Sequence, residues 1–200
     1  TVAVALAGGE HGLVQILRAE MQEAGGAPQA SVWGSALRLP AGAAALLNGT
    51  MAHALDYDDV NLAMPGHPSV ALLPAVMALG EARGASGAAV MAAFVVGYET
   101  ACRVGRAIAP GHYDVLGFHA TGTVGTFGAA AGCAHLLGLD EEQTLHALGI
   151  AATQAAGLKS MFGTMCKPLH AGRAAQNGLL AAKLAARGYT ARPDSLECVQ

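Results

Sequence analysis

The run VLGFHATGTVGTFGAAAGCAHLLGL, Val115 to Leu139, carries no formal charge along its length. A bilayer span needs ~20 consecutive apolar residues, so this stretch is either a membrane helix or a helix at the centre of a packed protein. His119, Thr121, Thr123, Thr126 and His135 interrupt it, and glycines recur between them. That polarity is high for lipid, whereas the small side chains suit a core helix whose neighbours approach closely. The segment predicts a buried helix over Thr121 to Leu137.

Outward from this helix the same periodicity recurs on both sides. Leu13, Ile16, Leu17 and Met21 share one face of a helix over His11 to Ala24, closed by Gly25 and Gly26. Ala30 to Leu39 reads as irregular or briefly extended, and Pro40 introduces a helix from about Ala43 to Ala54. Pro65, Gly66 and Pro68 make 58–68 a loop, after which Ser69 caps a helix to about Arg83. Ser86 starts a helix that turns Val90, Phe94, Val95 and Tyr98 inward and stops beyond Ile108 at Pro110 and Gly111. Asp140 with Gln143 signals a cap for a helix over Glu141 to Ala155. Pro168 suits the first position of a last helix, which runs to Gly188 in a left-handed C-terminal position. These patterns predict an all-α chain, a bundle of about seven small-residue-rich helices forming one domain over residues 1–200, with no competing strand pattern.

Bulk composition narrows the function. The 200 residues carry a net charge of −3 with acids and bases scattered, so no basic face exists for a nucleic acid or an anionic membrane. Cys102, Cys133, Cys166 and Cys198 form no CxxC pair, which argues against a zinc knuckle, a thioredoxin-like motif or an iron–sulfur cluster. Reduced thiols in the cytoplasm are the default expectation, since the chain opens at Thr1 and a targeting signal ahead of it would not be seen.

In a chain only 12% charged, polar residues gather at helix ends and loops: His53 to Asp59 (HALDYDD), Gly66 to Ser69, Gly117 to Thr121, and Lys167 to His170. Such places aim several side chains into one cleft. His67, His119 and Lys167 offer positive or hydrogen-donating groups, and Asp56 can hold an imidazole in one tautomer or act as a base. A pocket so lined suits a small polycarboxylate, and helix N-termini at His67 and Lys167 would add donors for its carboxylates. Asp58 and Asp59 read equally well as solvated loop acids. His11, His112, His135, His146 and His170 show no convergent partner, and Met161 and Met165 read as core filler.

The segments NGTMAHALDYDD, GHPSVALLPAVMALGE, FHATGTVGTFGAAAGCAHLLGL and KPLHAGRAAQNGLLAAKLA resemble the MmgE/PrpD family, which includes 2-methylcitrate dehydratases, cis-aconitate decarboxylases and an epimerase. The likeness runs from about Val2 to Pro193. It implies a large helical domain joined in complete members to a smaller α+β lid domain that is lacking here, so the chain is expected to be a fragment or a truncated reading frame. SLECVQ at the end departs from the family's glycine-rich continuation. By resemblance, Asp56, His67, His119 and Lys167 match positions lining the family's site. Val60 stands where the family often has threonine. The resemblance also implies metal-free and cofactor-free acid–base chemistry, a homodimer, and dehydration of 2-methylcitrate or a similar acid, with decarboxylation or epimerisation as alternatives.

Two other readings compete. Asp56, Asp58 and Asp59 also spell the DxDD motif of class II terpene cyclases, but carbocation chemistry needs aromatic faces and the chain has one Trp, four Tyr and four Phe. The chain could instead serve only as a helical self-association module, through an exposed apolar helix face.

Overall fold

A computed structural model of the chain describes residues 1–109 and 111–197. The expected helix stop at Pro110, the fourth cysteine Cys198 and the end of the SLECVQ tail lie outside the described residues. Eight α-helices are present among them: α1 (Val2–Gly8), α2 (Gly12–Ala24), α3 (Ala41–His53), α4 (Pro68–Arg83), α5 (Gly87–Ile108), α6 (Ala120–Leu137), α7 (Glu141–Ala152) and α8 (Cys166–Ala185). A π-helical turn (Gly111–Val115) and a 3-10 turn (Lys159–Met161) lie between them. The fold is all-α, as the sequence predicts.

The central helix is α6. Every residue from Ala120 to Ala134 is buried, the pattern of a helix apolar on all sides that sits inside a protein. It packs against α4, α5, α7 and α8, while α3 packs against α4 and α8. Small residues make this possible. A Cβ added to Gly128 of α6 would lie 2.8 Å from the Gly97 carbonyl oxygen of α5, and one on Gly97 would lie 2.6 Å from the Gly128 oxygen. The α5 and α6 backbones therefore touch. Between α3 and α8, a Cβ on Gly49 would fall 2.9 Å from the Gly172 Cα. Among the described residues α5 is the one helix long and apolar enough to cross a membrane by length and composition. Its buried stripe is Ala93, Gly97, Ala101 and Gly105; of the residues expected to turn inward, Val90, Phe94 and Tyr98 are only partly buried and Val95 is exposed, because the close approach to α6 selects the small side chains.

Local signals account for most boundaries. Asp140 and Gln143 form the expected capping box, Ser86 accepts the Ala89 N–H, and Gly25, Gly138 and Gly188 take positive φ at chain reversals. Four details differ from the expectation. Helix α1 has no capping side chain and too few residues for a periodic pattern; it is held by packing on α3. The stretch 30–39 contains a minimal antiparallel pair, β1 (Ala30–Ser31) with β2 (Arg38–Leu39), in register Ala30 to Leu39. Ser69 does not cap α4: His67 is the N-cap residue, and Ser69 Oγ donates to Asp59 at 2.8 Å. Finally, α7 stops at Ala152 and α8 begins at Cys166, two residues before Pro168, so Lys167 lies inside the first turn of α8 rather than ahead of it.

Candidate active site

Helix α3 ends at His53, and the chain turns there with the Asp56 N–H donating to the His53 carbonyl at 3.3 Å. Asp56 has φ 52, the single non-glycine residue in the left-handed region among the described residues. Aspartate tolerates that conformation better than most side chains, at a cost in strain that clusters at functional sites. The following loop docks on the first turn of α6. A Cβ on Gly66 would sit 2.9 Å from Thr121 Oγ1, and the His67 N–H donates to that same oxygen at 3.1 Å. His67 and His119 are thereby fixed as the N-cap residues of α4 and α6.

The four predicted residues meet. Asp56, His67, His119 and Lys167 line one cleft of about 390 Å³, together with Val60, Tyr113 and Phe162. That size is in the usual range of roughly 300–1,000 Å³ for small-molecule sites. Asp56 Oδ1 lies 2.5 Å from Lys167 Nζ and 3.6 Å from His67 Nε2. Burial alone would raise the Asp56 pKa, but the Lys167 hydrogen bond and charge, with His53 and His67, hold it below its ordinary value. A larger groove, of about 540 Å³, runs along α4 and the start of α5. It is walled chiefly by apolar side chains such as Leu73, Met77 and Phe94, so the convergent chemistry sits in the smaller cleft.

Beneath the cleft Asp58 is enclosed, its side chain 0% exposed. Its carboxylate lies 3.0 and 3.1 Å from His53 Nδ1 and 2.9 Å from His67 Nδ1. The His67 contact is an ion pair too bent for a linear hydrogen bond. Burial opposes the carboxylate's charge, yet the two imidazoles outweigh it and keep the Asp58 pKa far below the usual carboxylate range. His67 is shifted the other way: burial lowers its pKa, but Asp58 and then Asp56 raise it above 6.5 in balance.

From His67 a row of imidazoles passes through the buried His53 and His119 to the half-buried His170. His67 meets His53 edge-on at 4.6 Å between centroids, His53 stacks on His119 at 5.9 Å, and His119 Nδ1 lies 3.0 Å from His170 Nδ1. His119 is 2% exposed and has the Phe162 ring edge-on at 4.8 Å. Burial, then the nearby charges of His53, His170, Lys167 and His67, drive its pKa down to about 3. It is therefore neutral near pH 7, and His170 is shifted downward too, by burial and His53.

Donor atoms of His53, Asp56, Asp58 and His67 all lie within 4.8 Å of one another, a set chemically able to hold a cation. In the structure those charges are matched internally, because Lys167 sits on Asp56 and both imidazoles face Asp58.

Several residues differ from their sequence reading. Asp58 is enclosed rather than solvated, and Asp59 accepts from Ser69 and Tyr98. His170 has a partner in His119, and His112 has one in Thr123 Oγ1 at 2.7 Å. His11 accepts the Leu13 N–H at the start of α2, and His146 accepts the Ala191 N–H. Met165 is 56% exposed and so is not core filler. A signal for His170 was present: it lies three residues after Lys167, on the same helical face.

Over residues 1–199 the chain matches the family described as the MmgE/PrpD N-terminal domain. It is 40% identical over 155 residues to a cis-aconitate decarboxylase-like protein of Aspergillus oryzae, covering 74% of this chain and 32% of that protein. With the cis-aconitate decarboxylase of Homo sapiens it shares 37% identity over 172 residues, covering 84% and 36%. With that of Aspergillus terreus it shares 38% over 161 residues, covering 78% and 33%. The chain thus spans about a third of the length of these relatives.

Proposed function

Because the chain belongs to the MmgE/PrpD family, we propose that it is the helical, site-bearing part of a lyase acting on small polycarboxylates, with cis-aconitate as substrate and carbon dioxide as one product. The observation that carries this reading is the meeting of Asp56, His67, His119 and Lys167, from four separate stretches of sequence, around one anion-sized cleft. The names of the similar proteins favour decarboxylation over dehydration.

The chemistry follows from the charges. The cleft receives the N-terminal ends of α4 and α6 and the first turn of α8, whose partial positive charge favours carboxylates. Lys167 and the imidazolium of His67 are the two cations, and Asp56, 56% exposed at its side chain, holds both. A substrate carboxylate competes with Asp56 for the same partners. When the C–C bond to the departing carboxylate breaks, its electron pair forms a new C=C as the old double bond shifts. Negative charge then accumulates at the carbon beside a remaining carboxylate. Lys167 and His67 stabilise that enolate-like form, and His119 delivers the proton that completes the product. Hydro-lyase action on 2-methylcitrate is a second reading, favoured by the raised His67 pKa. An imidazolium is the acid a leaving hydroxyl needs, with neutral His119 available to take the adjacent proton.

The test is an assay of the full-length protein on both substrates. Release of carbon dioxide from cis-aconitate is the expected result. Water loss from 2-methylcitrate alone moves the protein to the hydro-lyase reading, and turnover of neither acid refutes the proposal.

A further inference from the structure

We propose that His170, which does not line the cleft, is the second half of a two-imidazole relay, through which His119 exchanges protons by swapping tautomers rather than by becoming charged. The inference rests on the proton-transfer role given to His119 above. Its basis is the 3.0 Å approach of the two Nδ1 atoms. At that distance one proton lies between them, so one ring is the Nδ1–H tautomer and the other presents a lone pair.

The approach is built into the fold. A Cβ on Gly122 would come within 3.0 Å of the His170 Cβ, and one on Gly157 within 3.3 Å of its Cγ and Nδ1. The His170 ring therefore occupies space that two glycines leave open. Gly157 also accepts the His119 N–H at 2.9 Å, so one loop residue fixes the backbone of the first imidazole and the position of the second. His119 is closed off by Phe162 and His53, while His170 is only half-buried and reaches water.

The surroundings disfavour an imidazolium at His119, and a neutral imidazole that simply gave up its proton would be left as an anion. A relay avoids both. His119 Nε2 gives its proton to the carbon that holds the electron pair after carbon dioxide departs. His119 Nδ1 takes the proton of His170 Nδ1, and His170 Nε2 takes one from water. Both rings end neutral with tautomers reversed. The starting state returns when a cleft water protonates His119 Nε2 and the shift runs backward, releasing one proton at His170. Net consumption is the single proton that decarboxylation requires.

The experiment uses full-length protein labelled with 15N-histidine, as wild type, His170→Phe and His170→Asn. Phenylalanine keeps a ring without nitrogens, whereas asparagine can hydrogen-bond His119 but cannot pass a proton through itself. In the wild type the 15N shifts of His119 are expected to show both tautomers, and in His170→Phe only one. Release of carbon dioxide should fall at least about tenfold in both variants with KM little changed. The solvent-deuterium proton inventory should change from several protons in the wild type to one in the variants. Unchanged His119 shifts in His170→Phe overturn the relay, and so does a wild-type rate in His170→Asn, which would reduce His170 to a positioning residue. Failure of the wild type to turn over any polycarboxylate refutes the lyase reading instead, and the NMR comparison still decides the pair.

Discussion

Replacing Asp58 with asparagine removes one charge while nearly keeping the shape. The carboxylate is enclosed between His53 at 3.0 Å and His67 at 2.9 Å. The His53 hydrogen bond to this charged partner contributes roughly 1.5–3 kcal/mol, and the His67 ion pair adds to it. The His67 pKa, raised above 6.5 in the wild type by Asp58 and then Asp56 against its burial, should fall in Asp58→Asn, because burial then acts with less opposition. The raised His67 value gives stability that is complete below pH 6.5 and fades as pH climbs through the folded-state pKa. The depressed Asp58 value gives stability present above 3.8 and lost only in stronger acid. Both contributions coexist between about pH 4 and 6.5, so the variant's deficit is largest there, about 2–4 kcal/mol, and shrinks toward pH 8. Urea unfolding at pH 5 and pH 8, with an NMR titration of the His67 ring, reads both quantities. Equal deficits at the two pH values with an unmoved His67 midpoint would refute the assigned pairing.

Further outcomes follow from the same geometry. His119, with a pKa near 3 against an ordinary 6.5, withholds stability in acid. The unfolded chain binds a proton that the folded one refuses, at a cost of about 2 kcal/mol by pH 5. His119→Phe should flatten the fall in denaturation midpoint between pH 6.5 and 4, and an unchanged slope contradicts the assignment. His67→Ala and His119→Ala in the full-length protein should each lower turnover by ~10² or more; wild-type rates in either remove that residue from the mechanism. Lys167→Met should lower kcat/KM by about 10² and raise the Asp56 pKa, which the lysine holds down; a carboxyl titrating as before would disprove their coupling. Gly128→Val forces a side chain onto the α5 backbone and should cost about 3 kcal/mol in chemical denaturation, whereas a near-neutral effect would mean the helices separate freely.

Much of the fold could be read from local rules. Asp140 with Gln143, Ser86 and the reversal glycines place helix ends through short-range chemistry, whereas the helical period misplaced the buried face of α5, where small residues rather than large ones meet α6. Helix α1 escaped because seven residues without a capping side chain offer neither signal. Asp56, His67, His119 and Lys167 were legible because each is a polar group at a helix end in an apolar chain. Asp58 was not. Whether it or exposed Tyr57 faces inward depends on the left-handed turn at Asp56, and a run of loop acids does not encode that turn. His170 looked isolated because its partner lies 51 residues away on another helix.

Close packing and site chemistry are one requirement in this chain. The imidazoles of His67, His53, His119 and His170 follow one another at centroid separations of 4.6, 5.9 and 5.3 Å, which demands helix backbones closer than ordinary side chains allow. Gly49 and Gly172 bring α3 to α8, Gly66 seats the loop before α4 on α6, and Gly122 admits His170 beside His119. The same convergence sets the charge balance of the cleft. Asp56 and Asp58 offset Lys167 and His67, so the side-chain charges nearly cancel, and the excess positive potential comes from the ends of α4, α6 and α8. Of the two acids only Asp56 is exposed to exchange, since Asp58 is sealed between imidazoles. Under the proposed function, an incoming carboxylate would release Asp56 to water and take over Lys167 and His67 without stranding a buried charge. On that same proposal, neutral His119, one position deeper, would stay uncharged through the exchange and meet the reacting carbon as a proton donor.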